Sequence, residues 1–356
     1  MPHNLADWGW DVSFQARFAP FAAEGLIPGR VVAAHRHLYE VVTTTGECLA
    51  AVSGRHRHEA LGPQDFPAVG DWVALSLETG SDRAVVHHVL PRRSRFSRSA
   101  VGGGGAAEQV VASNVDTVLL VTALNRDYNP RRIERYVAAG WESGAQPVVI
   151  LSKADLCPEA PERVAEVEGL APGVPVHAVS SVLGSGLDAL APYLAPGRTV
   201  ALLGSSGAGK STLLNALAGR EVMATGHVRE SDDRGRHTTT RRELVRLEAG
   251  GLLIDTPGMR ELGLWDATEG VSQAFGDVEA LSADCRFNDC RHDSEVGCAV
   301  RDALDAGHLS ANRLASYTKL QRELAFQKRR TDVRARLEEQ ARWKALHKAM
   351  RHNPKR

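Results

Sequence analysis

Residues 198–212, Arg-Thr-Val-Ala-Leu-Leu-Gly-Ser-Ser-Gly-Ala-Gly-Lys-Ser-Thr, restrict this chain more than any other stretch. The apolar run from Val200 to Leu203 reads as a buried strand, Gly204 opens a loop, and residues 213–217 continue as a helix. Inside that strand–loop–helix order lies Gly204-x-x-x-x-Gly209-Lys210-Ser211, the pattern of a phosphate-cradling loop. Its glycines let successive backbone N–H groups converge on phosphate oxygens, and the helix N-terminus adds a positive dipole. Gly204, Ser205, Ser206, Gly207, Ala208, Gly209, Lys210, Ser211 and Thr212 are therefore the expected phosphate-binding residues. Lys210 is placed to reach the β- and γ-phosphates and to act in catalysis, and the Ser211 hydroxyl to hold magnesium. This is a nucleoside triphosphate site.

At 356 residues the chain is long enough for two or three domains. Hydrophobic residues make up 43% and charged residues 24%, with a formal net charge of zero, so a basic surface is expected only locally. No apolar run approaches the roughly 20 residues that span a membrane, and residues 1–27 lack a signal-peptide core. Five cysteines, three of them clustered, do not make a secreted disulfide framework. A cytoplasmic protein without membrane association, and with one cysteine-based site, is expected. Nothing in the sequence asks for more than a monomer.

The chain divides by pattern into four parts. Residues 1–27 form an N-terminal extension in which Trp10, Phe14, Phe18 and Phe21 share one helical face. That spacing reads as packing onto a neighbouring domain rather than as an RNA-stacking platform. Residues 28–98 hold five short β-type runs (30–34, 38–43, 48–52, 71–77 and 84–89) separated by turn signals, which suggests a small antiparallel barrel of the OB type. Arg30, His35, Arg36, His37 and the run Arg55-His56-Arg57-His58 are its candidates for touching nucleic acid, against the plain reading of a solvated β-surface. Residues 91–98, with four arginines around Phe96, and the glycines at 102–105 look like a basic linker.

Residues 99–267 alternate strand (116–124, 146–151, 174–179, 200–203, 243–248, 252–254) and helix (130–139, 159–168, 186–193, 213–217), the signature of a parallel sheet covered by helices. Residues 268–356 read as helical, and from Arg322 to Arg356 twelve Lys/Arg stand against four Asp/Glu, a block that suggests a polyanionic partner such as RNA.

The remaining nucleotide-site parts lie out of the usual order. Asp255-Thr256-Pro257-Gly258 ends an apolar run about 45 residues after Lys210-Ser211; its aspartate can hold magnesium through water and the Gly258 N–H can meet the γ-phosphate. Between them, residues 231–240 read as a polar switch loop in which Thr239 or Thr240 coordinates magnesium. A base-reading element of the Asn/Thr-Lys-x-Asp kind is missing downstream. Upstream, at the end of the strand over 146–151, stands Ser152-Lys153-Ala154-Asp155, where the aspartate can accept from guanine N1 and N2. Ser180 and Ser181, after the next strand, supply a second base loop. Base loops thus precede the phosphate loop, which is the order of a circularly permuted GTPase binding GTP and GDP.

Cys285-x-x-x-x-Cys290-x-His292-x-x-x-x-x-Cys298 supplies three thiolates and an imidazole, a closed structural zinc set that leaves no position for catalytic water. It would staple a small helical unit short of core.

A barrel, a permuted GTPase domain and this Cys3His spacing, in that order, resemble the ribosome small-subunit-dependent GTPases of bacteria, the RsgA/YjeQ family. The resemblance covers roughly residues 28–320 and rests on residues 204–212, His237-Thr238-Thr239-Thr240, 255–258, 152–155 and the four cysteine and histidine ligands. It implies a GTPase that binds the small (30S) ribosomal subunit and its rRNA through barrel and zinc unit during late assembly, with weak intrinsic hydrolysis stimulated by the subunit. Two positions depart from the usual pattern: Ser152 replaces Asn or Thr, and Met259 stands where many GTPases carry a water-orienting Gln. The resemblance makes His237 the candidate to position the attacking water. Competing readings are a phosphate-loop ATPase with a coincidental Ser152–Asp155 motif, an RNA-binding scaffold with a structural nucleotide, and a permuted GTPase of the large subunit.

Overall fold

The computed structural model describes residues 3–35, 37–78, 80, 82–99, 108–220, 243–255 and 268–331. The first helix, α1 (Val12–Ala22), starts where the Asp11 carboxylate accepts from the N–H groups of Ser13 and Phe14 at 2.9 and 3.1 Å. It buries Phe14 and Phe18, and Trp10 meets Trp72 edge-on at 4.6 Å. The aromatic face read from the sequence is thus spent on packing against the neighbouring barrel.

That barrel comprises β1 (Ile27–Ala34), β2 (Tyr39–Thr43), β3 (Gly46–Val52), the short helix α2 (Gly54–Glu59), β4 (Trp72–Leu77) and β5 (Arg83–Val89). The strands close in the order β1-β2-β3-β5-β4, with β4 returning to β1. Four pairs are antiparallel and β3–β5 is parallel, a departure from the wholly antiparallel barrel expected from the sequence. A ring of five strands cannot alternate direction all the way round, so one parallel pair is required. Around Val31, Val41, Val73, Leu75 and Val86, each fully buried, the barrel encloses its own core.

Two further corrections concern basic residues. Arg30, a candidate for nucleic acid, is 1% exposed; it donates to the carbonyls of Trp8 (2.8 Å) and Asn114 (3.3 Å) and to Thr199 Oγ1 (3.1 Å). Burial lowers its guanidinium to about 10, still protonated at neutral pH, and it ties extension, barrel and sheet together. The presumed basic linker is also structural over residues 91–99, while its glycines at 102–105 lie outside the described residues. Arg92 chelates Asp71 at 2.7–2.8 Å, Arg93 pairs with Asp11 and lies over Phe14, and residues Arg95–Ser99 form β6, which pairs with β7 (Glu108–Ser113). Of the other basic candidates, Arg55, Arg57 and His58 lie exposed on α2, whereas Arg36 lies outside the described residues.

The second sheet contains β8 (Thr117–Ala123), β9 (Gln146–Ser152), β10 (Val176–Val179), β11 (Thr199–Leu203), β12 (Glu243–Arg246) and β13 (Leu252–Asp255) in the order β10-β9-β8-β11-β13-β12. All its pairs are parallel except β12–β13. Every residue of β8 and β11 is buried, as expected of central parallel strands covered on both faces. Helices α3 (Pro130–Glu142), α4 (Ala160–Leu170) and α5 (Lys210–Ala218) connect these strands. The helix expected over 186–193 is instead a 3-10 helix over Asp188–Leu194, where Pro192 removes an N–H and blocks an α-helical turn. Ala33 of β1 pairs with Glu243 of β12, joining barrel and sheet edge to edge.

The C-terminal part packs α6 (Thr268–Ala274), α7 (Gly276–Ala283), α8 (Ala299–Asp305) and α9 (Ala311–Thr331). Gly270 of α6 lies against α3, where a Cβ would meet Ala138 O at 2.1 Å, and Glu142 accepts from the Gly270 N–H at 2.8 Å. Among the described residues no helix is long and apolar enough to cross a membrane. The basic block of the tail beyond residue 331 lies outside the described residues.

Candidate functional site

The carboxyl ends of β8, β9, β10, β11 and β13 form one edge of the sheet, the edge at which open α/β sheets bind ligands. From β11 the chain enters the phosphate loop through Gly204, whose backbone passes so close to β8 that a Cβ would lie 2.2 Å from Val121 O. Gly209, at φ 87°, reverses the chain into α5, so the N–H groups at the start of that helix face the loop. Lys210 Nζ donates to Gly204 O (2.7 Å) and Ser205 O (2.6 Å), which lays its ammonium across the mouth of the cradle. Ser206, Gly207 and Thr212 are exposed, Ala208 is buried beneath the loop, and Ser211 is half-buried one residue into the helix.

The end of β9 touches this loop directly. Ser152, 2% exposed, donates from Oγ to Ala208 O at 2.6 Å, and Lys153 Nζ donates to Gly207 O at 2.8 Å. Lys153 adopts a left-handed backbone at φ 59°, a conformation costing about 1–2 kcal/mol for a side-chain-bearing residue. Ala154 and Asp155 follow in a 3-10 turn, with Asp155 exposed at the same edge. Ser152 thus ties the end of β9 to the 204–212 loop.

After β10, Ser180 is fully buried and accepts from the Leu183 N–H at 3.1 Å, while its own N–H donates to Ser185 O at 2.9 Å. This closes a tight loop that carries half-buried Ser181. Asp255 is the last residue of β13, next to the phosphate-loop strand. His237, Thr238, Thr239, Thr240, Gly258 and Met259 lie outside the described residues. The structure thus gathers 152–155, 180–181 and 204–212, separated in sequence, along one edge.

One contact at this edge had no motif to announce it. Asp127, in the loop after β8, accepts from the Ser205 hydroxyl at 2.7 Å and is held by Arg132 at 2.8 and 2.9 Å. Those hydrogen bonds, Arg132 first and Ser205 second, hold its carboxyl below the ordinary range. The available signal was positional: a loop following a central parallel strand.

The Cys3His cluster lies between α7 and α8. The donor atoms of Cys285, Cys290, His292 and Cys298 all fall within 4.8 Å of one another. Cys285 Sγ and Cys298 Sγ are 3.9 Å apart, and His292 Nδ1 lies 3.7 and 3.4 Å from them. A tetrahedral metal with thiolate and imidazole ligands needs edges of roughly 3.8 and 3.6 Å, from bond lengths of about 2.3 and 2.0–2.1 Å. Those three edges fit a metal ion, and Cys290 Sγ lies within 4.8 Å of the other donors as the fourth ligand candidate. His292 Nε2 lies 3.2 Å from Ser282 Oγ, which donates to Val278 O at 2.8 Å. A hydroxyl already donating can only accept from the ring, so the proton sits on Nε2 and Nδ1 is left as the ligand.

A sequence model of the RsgA GTPase matches residues 89–265. The small ribosomal subunit biogenesis GTPase RsgA of Opitutus terrae is 51% identical over 98% of this chain and 97% of its own length. Its namesake in Streptomyces avermitilis is 49% identical over 96% and 91%. Among solved structures, YjeQ from Thermotoga maritima aligns with a TM-score of 0.63 at 27% identity, over 84% of this chain and 99% of that one. YloQ, described as a circularly permuted GTPase, aligns with the same TM-score over 85% and 96% at 22% identity and bears on the fold alone. A phosphate loop late in the chain, base-loop candidates before it and a Cys3His centre after it are features this chain holds together over nearly its whole length, and it belongs to the RsgA GTPase family.

Proposed function

We propose that this chain hydrolyses GTP to GDP and phosphate as a timed switch in the biogenesis of the small ribosomal subunit. The observation that carries this is the direct bonding of Ser152 and Lys153 to the phosphate loop, which makes base-reading and phosphate-binding segments one continuous cradle. In it, Asp155 accepts from guanine N1 and N2, Lys153 lies along the base, and Ser180–Ser181 close its far side. The N–H groups of 204–212 and the Lys210 ammonium hold the β- and γ-phosphates. Ser211, Asp255 through water, and Thr239 or Thr240 would hold magnesium, which when bound neutralises charge developing on the phosphates. His237 would orient the attacking water, since Met259 has no group to do so.

Zinc is the metal that three thiolates and one imidazole in tetrahedral array favour. It would have a structural role, stapling residues 285–298 between α7 and α8. The units bounded at 28–98, 99–267 and 268–356 then divide the work into rRNA docking, nucleotide hydrolysis and a second rRNA contact. We place the protein in the cytoplasm, acting as a monomer on the subunit late in its assembly.

Phosphate release from GTP and from ATP, with and without purified small subunits, tests this reading. Slow GTP turnover raised strongly by small subunits, with ATP inert, is expected. Turnover indifferent to subunits would remove the ribosomal role, and preference for ATP would remove the guanine site.

A further inference from the structure

Ser205 is held from two sides. Its carbonyl accepts from Lys210 Nζ at 2.6 Å, and its hydroxyl donates to Asp127 Oδ2 at 2.7 Å. Asp127 is gripped in turn by Arg132, which donates from Nη1 and Nη2 to the two carboxylate oxygens at 2.8 and 2.9 Å and from Nη2 to the Asp127 carbonyl at 3.2 Å. Such fork-to-fork geometry fixes direction as well as charge.

The support behind this pair is stiff. Asn125 accepts through Oδ1 from the Asp127 N–H at 2.9 Å and through its carbonyl from the Tyr128 N–H at 2.9 Å, which sets the turn. Asn129 caps α3, with Pro130 at the first helical position. Two residues beyond Arg132, Glu134 is 3% exposed and pairs with buried Arg313 at 2.8 Å, which anchors α3 to the C-terminal helices. A carboxylate beside a triphosphate cradle repels the ligand unless its charge is balanced. Here Arg132 balances it, and the positive charge of Lys153 adds a smaller favourable contribution.

We propose that Asp127 and Arg132 are positioning residues of the phosphate loop. Asp127 fixes Ser205 so that its carbonyl aims the Lys210 ammonium into the cradle, and Arg132 keeps that carboxylate from repelling the phosphates. This rests on reading residues 204–212 as the triphosphate site. It predicts a penalty that depends on charge and grows with the number of phosphates, which a merely structural arginine on α3 would not show.

The test is nucleotide affinity and turnover of the full chain carrying Arg132→Gln, Asp127→Asn and both together, measured with GTP and GDP. Arg132→Gln is expected to weaken GTP by about tenfold and GDP by about threefold, because an unbalanced charge repels the triphosphate more. The loss enters KM more than kcat and fades at about 1 M salt, where the screening length is near 3 Å. Adding Asp127→Asn removes the repelling charge while keeping an acceptor for Ser205, and should restore GTP affinity to within about threefold of the parent. Unchanged affinity in Arg132→Gln, or a double variant no better than the single, would overturn the proposal. If the parent protein bound ATP instead, the guanine reading would fail, and the same series run with ATP would still judge the clamp. If the parent bound neither nucleotide, both would fall.

Discussion

In the nucleotide cradle nearly every contact ends on backbone: Ser152 on Ala208 O, Lys153 on Gly207 O, Lys210 on Gly204 O and Ser205 O. Ser152 and Lys153 stand at the end of β9, buried from Pro147 to Ser152, and Lys210 opens α5, so a packed sheet and a helix position these groups. In the 285–298 loop the converging groups are four side chains on a segment without helix or strand, with Phe287 and Val296 turned to solvent. A packed sheet can hold a site ready for a ligand that comes and goes. A short loop whose donors converge without a strand or helix beneath them would draw its order from the zinc proposed to bind there.

Removing the proposed zinc should therefore have the largest effect on stability and the most local one. Structural zinc of this type contributes on the order of 10 kcal/mol at neutral pH. Chelation, or Cys290→Ser, should abolish amide protection across 285–298 while the phosphate loop still binds nucleotide, measured by hydrogen exchange beside a nucleotide titration. Loss of both together would show that the two regions fold as one unit.

Next in size is Arg313, which joins the C-terminal helices to α3 through Glu134, Asp277, Ala274 O and Leu170 O. Arg313→Met leaves the buried Glu134 carboxylate without its guanidinium and should cost about 3–5 kcal/mol in a denaturant melt. Combining it with Glu134→Gln should recover part of that loss; no recovery would mean that packing, not charge, dominates there.

Within the cradle, Ser152→Ala removes one buried hydrogen bond to the phosphate loop and should weaken guanine nucleotide binding by about 1–2 kcal/mol with little change in melting temperature. An equal fall in both would assign Ser152 to the core rather than to the site.

The smallest effect concerns acid. Burial raises the Asp277 carboxyl, but the hydrogen bond and charge of Arg313 outweigh it, and the group titrates below its ordinary value of 3.8. A depressed carboxyl contributes stability above its unfolded pKa and loses it as pH falls through the folded one. Asp277→Asn should thus flatten the decline in stability below about pH 4, and an unchanged slope would remove this pair from the acid response.

The strand, loop and helix of residues 199–218 were legible because their pattern is contiguous: an apolar run, Gly204 where the backbone must pass close to β8, and Gly209 turning the chain into α5. The barrel strands were legible from turn signals. Arg30 was misread because its partners Trp8, Asn114 and Thr199 lie 22, 84 and 169 residues away, and no local pattern announces a strand arginine that links three parts of a fold. Strand β6 was hidden in an arginine run whose single apolar anchor, Phe96, is 2% exposed. Asp127 left no motif, because its role comes from the neighbour that the sheet gives it.

Permutation is the central claim: a base-reading loop upstream and a phosphate loop downstream act as one site. The most direct measurement is the affinity of the Asp155→Asn protein for GTP and for xanthosine triphosphate. Replacing the carboxylate proposed to accept from guanine N1 and N2 should weaken GTP and strengthen the xanthine nucleotide, inverting their ratio. An unchanged ratio would place the base elsewhere and contradict the account.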